Sequence, residues 1–100
     1  MNADQYHLCK IAEECAEVSQ RALKAMQFGL GEVQKGQDFD NLERLMDEFH
    51  DLFTTFENFT NLVERDPIPS EIAKGIRLRK MDKFLQLSIS LNQVDETTFI

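Results

Sequence analysis

Two short segments of the chain carry acidic side chains at helical spacing. Glu14 and Glu17 lie three positions apart in EECAEVSQ, and Glu48 and Asp51 repeat that spacing in EFHDLF. At about 100° per residue, side chains three positions apart are neighbours on one helix face. Like charges at this spacing repel, so each pair destabilises the helix that carries it unless a cation lies between the two carboxylates. The spacing predicts either a cation site or a solvated acidic helix surface.

Each acidic pair lies beside the apolar face of its own helix, the face expected to pack against the other helix. Antiparallel packing of the two segments would therefore bring four carboxylates to one groove. Hard divalent cations take oxygen ligands, and Mg²⁺ in particular is held by a few carboxylates together with substrate phosphates. No paired His or Cys accompanies these acids, which favours Mg²⁺ or Mn²⁺ over zinc. A di-iron centre is disfavoured, because His50 projects roughly 160° from Glu48 around a helix and no shared centre forms easily.

Three long helices are predicted to position the acidic pairs, within a single domain over residues 1–100. The first covers 3–28 and stops at Gly29-Leu30-Gly31, because glycine readily adopts a C-cap conformation. The second covers 39–65, since Asp38 to Asn41 include good N-caps and Asp66-Pro67 ends a helix. The third covers 70–92 and is followed by a flexible tail, 93–100. The predicted fold class is therefore all-α.

Apolar residues at helical spacing define the expected core of these helices. On the first helix the stripe is Ile11, Cys15, Val18, Ala22, Ala25 and Met26. On the second it is Leu42, Leu45, Met46, Phe49, Leu52, Phe53, Phe56 and Val63. The third helix is apolar on two nearly opposite sides, which three helices of one chain cannot both cover. We therefore expect a homodimer or homotetramer in which an oligomeric four-helix-type bundle forms across the interface.

The composition excludes several classes of partner. A formal net charge of −7 argues against binding a nucleic-acid polymer, which needs a basic surface. No run of about 18 apolar residues is present, so no membrane span is predicted. The N-terminal segment lacks the basic and apolar regions of a signal peptide, and a cytoplasmic protein is expected.

The two acidic segments together resemble the EExxE and ExxD signature of the all-α NTP pyrophosphatases, the MazG-like family. The similarity includes the order of the motifs and the glycine-bearing connection, and it extends over residues 5–90. The interval between the motifs is slightly longer than in many members of that family. The five acids of the signature fall on Glu13, Glu14, Glu17, Glu48 and Asp51.

The resemblance implies Mg²⁺-dependent cleavage of a nucleoside triphosphate between its α- and β-phosphates, giving the monophosphate and pyrophosphate. Disposal of unwanted nucleotides is the expected role. By similarity, the metal ligands would be Glu14, Glu17, Glu48 and Asp51. Glu13 is better placed as a supporting or water-orienting acid, because it points farther from the apolar stripe.

Substrate phosphates need cationic partners as well. Lys80 and Lys83 resemble the basic positions of the last helix of the family. Arg21 and Lys24 lie one to two turns beyond Glu17 on the same side of the first helix. For each of these residues the alternative is a solubilising surface charge.

A rival interpretation from another class is a non-catalytic helical dimerisation or interaction module whose acids form only a charged face. Within the enzyme class, a phosphoribosyl-ATP pyrophosphohydrolase or an enzyme specific for dUTP or dCTP are alternatives. The sequence leaves open the base and sugar of the substrate, and one metal ion versus two.

Overall fold

A computed structural model describes residues 1–95, and all regular secondary structure within that range is helical. The helices are α1 (Ala3–Phe28), α2 (Asn41–Leu62) and α3 (Glu71–Ser90), which confirms the all-α class. Residues 96–100 of the predicted tail lie outside the described range. The chain divides into two compact units, Met1–Pro67 and the part from Ile68 onward. Within the described residues, no helix has the length and apolar character that crossing a membrane requires.

The ends of α1 are defined by local hydrogen bonds. At its start, Asn2 and Gln5 form a capping box in which Asn2 Oδ1 accepts from the Gln5 N–H at 2.8 Å. Gln5 Oε1 accepts from the Asn2 N–H at 2.9 Å in return. The helix ends at Gly29, whose φ of +96° is strained for a residue with a Cβ. The Gly29 N–H still donates to the Ala25 carbonyl at 2.9 Å, so α1 closes without a lost bond.

The connection between α1 and α2 is fixed to the first residue of α2. The Asn41 side chain is buried, and its Nδ2 donates to the Gly29 carbonyl at 2.7 Å and to Glu32 Oε1 at 3.3 Å. The backbone N–H of Asn41 donates to the Glu32 carbonyl at 3.0 Å, and that of Leu42 to the Leu30 carbonyl at 3.1 Å. These four bonds set the position of α2 relative to the end of α1.

Helix α2 is shorter than the predicted 39–65 at both ends. A capping box between Asp40 and Glu43 starts it, with Asp40 Oδ1 accepting from the Glu43 N–H at 2.8 Å. Beyond Leu62 the chain enters the left-handed region at Glu64, where φ is +57°, so the helix ends before Asp66-Pro67 is reached.

Helices α1 and α2 pack against each other in antiparallel directions. The end of α1 contacts the start of α2 through Gly29 and Asn41. The start of α1 contacts the end of α2, because the rings of His7 and Phe59 lie 5.8 Å apart. This hairpin brings the middle of α1, with the first acidic pair, to the middle of α2, with the second.

The interior of this hairpin is a narrow seam. Among the described residues, the one fully buried apolar side chain is Ala25, while Ile11 and Val18 are half-buried. The predicted core stripes are wider than this seam. Cys15, which we expected in the core, is exposed, and so are Met26 and Phe49. Two helices enclose only the side chains along their line of contact, so the remaining apolar side chains stay open.

Helix α3 belongs to the second unit and is slightly shorter than the predicted 70–92. Ser70 caps it, with Oγ accepting from the Ala73 N–H at 3.1 Å. None of its residues is buried. Large apolar side chains are exposed around the helix, among them Ile72, Leu78, Met81, Phe84 and Leu87.

Candidate functional site

Three carboxylates from the two packed helices converge halfway along the hairpin. Glu14 and Glu17 project from α1 and Glu48 projects from α2. One oxygen from each side chain lies within 4.8 Å of the corresponding oxygen of the other two. We call these three residues the acidic triad. Four ligands were expected, and the antiparallel packing brings three of them into this arrangement.

The acidic triad lacks the partners that carboxylates in a protein interior normally have. Glu14 and Glu48 are half-buried, and the Oε2 atom of each is shielded from solvent without a hydrogen-bond partner in the described part of the chain. None of the three acids forms an ion pair with a lysine or arginine of residues 1–95. Buried polar atoms are almost always paired, because leaving one unpaired is unfavourable.

The local environment raises the pKa of two of these acids above the ordinary value. For Glu14 the largest cause is burial, followed by the negative charges of Glu17 and Asp51. For Glu48 burial is again first, followed by the hydrogen bond and charge of Glu17 and then the charge of Asp51. Burial and like charges both disfavour the ionised form. A divalent cation would relieve both effects, and all-oxygen ligands match Mg²⁺ or Mn²⁺, so the residues present fit such an ion.

The other two acids of the signature occupy different positions. Asp51 is exposed and its carboxylate is not part of the mutually close group, although its charge acts on both Glu14 and Glu48. Glu13 interacts within α1 instead. Its Oε2 accepts from Lys10 Nζ at 3.1 Å, and its Oε1 accepts from Cys9 Sγ at 3.8 Å.

The three lysines predicted to bind phosphate lie on α1 and α3. The ammonium group of Lys24 lies 5.5 Å from the centre of the Phe28 ring, near the end of α1. Lys80 lies 6.0 Å from the centre of the Phe84 ring, on α3. Lys80 and Lys83 are both exposed and belong to the second compact unit.

Two arginines lie beside the acidic triad. Arg21 of α1 and Arg44 of α2 both line a pocket of about 400 Å³ whose wall includes Glu17 and Glu48. We call this the arginine pocket. The rest of its lining consists of Gln20, Gln37, Phe39 and Asp47. The groove therefore has cationic groups next to its acids, at the end nearest the connection between the helices.

A second pocket, of about 420 Å³, opens on the other side of the triad and includes Glu14 in its wall. Its remaining lining is Tyr6, His7, Lys10, Thr54, Thr55 and Asn58. We call it the hydroxyl pocket, because three of its lining residues, Tyr6, Thr54 and Thr55, carry hydroxyl groups. The acidic triad thus lies between two pockets of different chemistry.

Helical spacing in the sequence indicates Arg44, which was not among the basic residues expected to bind phosphate. Arg21 follows Glu17 by one helical turn, and Arg44 precedes Glu48 by one turn. In an antiparallel hairpin, forward along α1 and backward along α2 are the same direction. Spacing alone therefore places both arginines at one end of the acids, once the helices are known to be antiparallel.

No family model, curated protein or solved structure matches this chain.

Proposed function

We propose that this protein is a Mg²⁺-dependent nucleoside triphosphate pyrophosphohydrolase, which converts an NTP or dNTP to the monophosphate and pyrophosphate. The observation that carries the proposal is the acidic triad. Three carboxylates from two helices have oxygens within 4.8 Å of one another, and no lysine or arginine of the described chain forms an ion pair with them. The resemblance of the two acidic motifs to the MazG-like family is the reason for proposing hydrolysis of nucleoside triphosphates at this cation site.

Each acid has a role in this proposal. Glu14, Glu17 and Glu48 hold the ion, with Mn²⁺ as a possible substitute, and Asp51 completes the ligand set at the exposed edge. When bound, Mg²⁺ neutralises phosphate charge and activates a water molecule for attack. Glu13 stays outside the ligand set, because its carboxylate is bonded to Lys10.

The arrangement of the triad favours a metal-dependent hydrolase over the alternative of a solvated acidic surface. A solvated acidic face keeps its carboxylates apart and in water, where repulsion is weak. Here two carboxylate oxygens are shielded from solvent, and neighbouring charges and burial raise the pKa of their groups. Such an arrangement is unfavourable without a ligand, and sites of this kind are commonly functional.

We further propose that a second copy of the chain covers the open apolar face of α2, giving a homodimer or homotetramer with a four-helix-type bundle. Met46, Phe49, Phe56 and Val63 recur at helical spacing on this face, and each is exposed. Side chains of this size in one stripe are typical of an interface. Light scattering after size exclusion tests the assembly, and Phe49→Glu is expected to shift it to monomer.

The experiment that tests the catalytic proposal is a pyrophosphate-release assay across canonical and damaged NTPs and dNTPs, with and without Mg²⁺. Wild type is expected to release pyrophosphate only with the metal, and Glu14→Gln to reduce the rate by about a hundredfold or more. Glu57→Gln, an exposed acid elsewhere on α2, is the matched control and should retain the rate. A sharp preference within the panel would identify the physiological substrate.

Absence of release from every nucleotide would refute the enzyme and favour the rival interaction module. The panel also includes phosphoribosyl-ATP, dUTP and dCTP, so that the specific enzymes considered above are tested directly.

A further inference from the structure

We propose that the arginine pocket binds the two terminal phosphates of the substrate, and that the nucleoside extends to the opposite side of the acidic triad. This orientation rests on the proposed function. It assigns Arg21 and Arg44 as the groups that hold the pyrophosphate leaving group; Arg21 was a candidate for this role from the sequence, together with lysines of α1 and α3, and Arg44 was not.

The charges around the pocket suit a phosphate complexed with a divalent cation. Its wall carries two guanidinium groups, Arg21 and Arg44, and three carboxylates, Glu17, Asp47 and Glu48. A free phosphate anion would be repelled by this excess of acids. Once the acids have their cation, the guanidinium groups remain as donors, and a planar guanidinium matches phosphate oxygens with two parallel hydrogen bonds.

Arg21 has unused hydrogen-bonding capacity in the pocket. Its Nη1 atom is shielded from solvent and has no hydrogen-bond partner within residues 1–95. Glu17 is one helical turn away, at a spacing that often gives an ion pair, yet no such pair forms between the two. A guanidinium nitrogen that is neither solvated nor hydrogen-bonded, on an arginine that does not pair with its acidic neighbour, is well suited to an anionic ligand.

Arg44 is held in position by the connection between the helices. Its Nη1 donates to Gln34 Oε1 at 2.8 Å, and Gln34 follows Glu32, which is bonded to Asn41. One end of the guanidinium is therefore fixed, while its other N–H groups remain available. Fixing a side chain before binding lowers the entropy lost when the ligand arrives.

The hydroxyl pocket is poorly equipped for phosphates, which sets the direction of the substrate. Its one lysine, Lys10, is already paired with Glu13 at 3.1 Å. The remaining groups include the hydroxyls of Thr54 and Thr55 and the ring of Tyr6. Hydroxyls and aromatic rings suit a sugar and a base, which need neutral donors and acceptors and a stacking surface.

In this orientation the α-phosphate lies beside the acidic triad. The oxygen of a water molecule bonds to the α-phosphorus, and the bond from that phosphorus to the bridging oxygen breaks. The bridging oxygen and its electron pair leave with the pyrophosphate toward Arg21 and Arg44, while a proton from the water is released to solvent. The products are the nucleoside monophosphate and pyrophosphate.

Titration calorimetry with inorganic pyrophosphate, in excess Mg²⁺, tests the assignment without requiring turnover. Arg21→Gln and Arg44→Gln are each expected to weaken pyrophosphate binding by about tenfold or more, since each removes charge-assisted hydrogen bonds. Binding of a nucleoside monophosphate should change by less than about threefold. Arg65→Gln, at an exposed arginine beyond the end of α2, is the matched control and should change neither.

Conservative variants keep the test valid if a glutamine variant fails to fold. Arg21→Lys and Arg44→Lys retain the charge but lose the paired donors, and an intermediate loss of pyrophosphate affinity is expected. Circular dichroism on every variant checks its helical content. Pyrophosphate affinity that survives all four substitutions would overturn the assignment, and so would equal weakening of both ligands.

The outcomes separate this inference from the proposed function. Folded wild type that hydrolyses nucleotides but binds pyrophosphate independently of Arg21 and Arg44 refutes the orientation alone. Arginine-dependent pyrophosphate binding without hydrolysis of any nucleotide refutes the enzyme but supports the phosphate site. Failure of wild type to bind pyrophosphate in Mg²⁺ overturns the inference outright.

Discussion

Adding Mg²⁺ should reverse the order of stability of wild type and the Glu48→Gln variant. Without metal, Glu48 has a shielded oxygen with no partner and a pKa raised by burial and by its acidic neighbours. Glu48→Gln removes that charge, so the metal-free variant is expected to melt at or above the temperature of wild type. With Mg²⁺ present, wild type should become the more stable protein, because only it retains all three acids of the triad.

The size of the shift follows from binding linkage. A ligand at 100 times its dissociation constant stabilises the native state by about 2.7 kcal/mol. In a folding unit of this size, each kcal/mol moves the melting temperature by about 4–8 °C, so wild type should gain about 10–20 °C. Losing one of three ligands weakens binding by about tenfold or more, or about 1.4 kcal/mol. The gain in Glu48→Gln should therefore be smaller by about 6–11 °C or more.

Differential scanning fluorimetry over a Mg²⁺ titration measures both shifts, with NaCl added to hold ionic strength constant. Glu57→Gln removes a charge from an exposed position of the same helix and should gain as much as wild type. An equal gain in Glu48→Gln and Glu57→Gln would mean that Mg²⁺ acts as a general screening ion, and the reasoning about the triad would be refuted. A flat titration of wild type would refute it as well.

Three further predictions concern the same hairpin. Because the pKa values of Glu14 and Glu48 are raised, the native state binds more protons than the unfolded state between the ordinary value of 4.5 and the raised values. The melting temperature of the metal-free protein should therefore rise as the pH falls from about 7 into that window, and the Glu14→Gln/Glu48→Gln variant should flatten this dependence. Glu13→Gln should change Mg²⁺ affinity by calorimetry less than about threefold, because Glu13 faces Lys10 rather than the triad, and a loss as large as that of Glu48→Gln would contradict this. Asn41→Ala should destabilise the protein by about 2 kcal/mol in urea unfolding, since it leaves the Gly29 carbonyl without its donor, whereas the exposed Asn61→Ala should have little effect.

The parts of the fold that depend on local chemistry could be predicted from the sequence. Gly29 ends α1 where expected, because the left-handed conformation there favours glycine. The end of α2 was harder to predict from the sequence. Asp66-Pro67 marks the last position at which the helix could end, but the backbone leaves the helical conformation earlier, at Glu64. Cys15 was misplaced for a different reason. Periodicity identifies an apolar face, but how much of that face is covered depends on the number of helices that pack on it.

The candidate site, too, could be predicted from the sequence only in part. Helical spacing and antiparallel packing were enough to bring Glu14, Glu17 and Glu48 together. Asp51 shares the spacing, yet its carboxylate lies outside the close group, because which side chains converge depends on how the two helices are rotated about their axes. Lys24 was expected beside the acids from helical spacing, whereas in the structure its ammonium group lies over the Phe28 ring. Spacing does not determine which neighbour a long basic side chain contacts.

The positions of the unpaired polar atoms in the hairpin support the proposed reaction. Elsewhere in this unit a capping box pairs the polar groups at the start of each helix. Asn41 Oδ1, at the start of α2, is one of four shielded side-chain atoms without hydrogen bonds in residues 1–95, and the other three are the Oε2 atoms of Glu14 and Glu48 and the Nη1 of Arg21. Here unpaired acceptors lie next to an unpaired donor along one groove, which is the arrangement that a cation and a phosphate bound side by side would satisfy together.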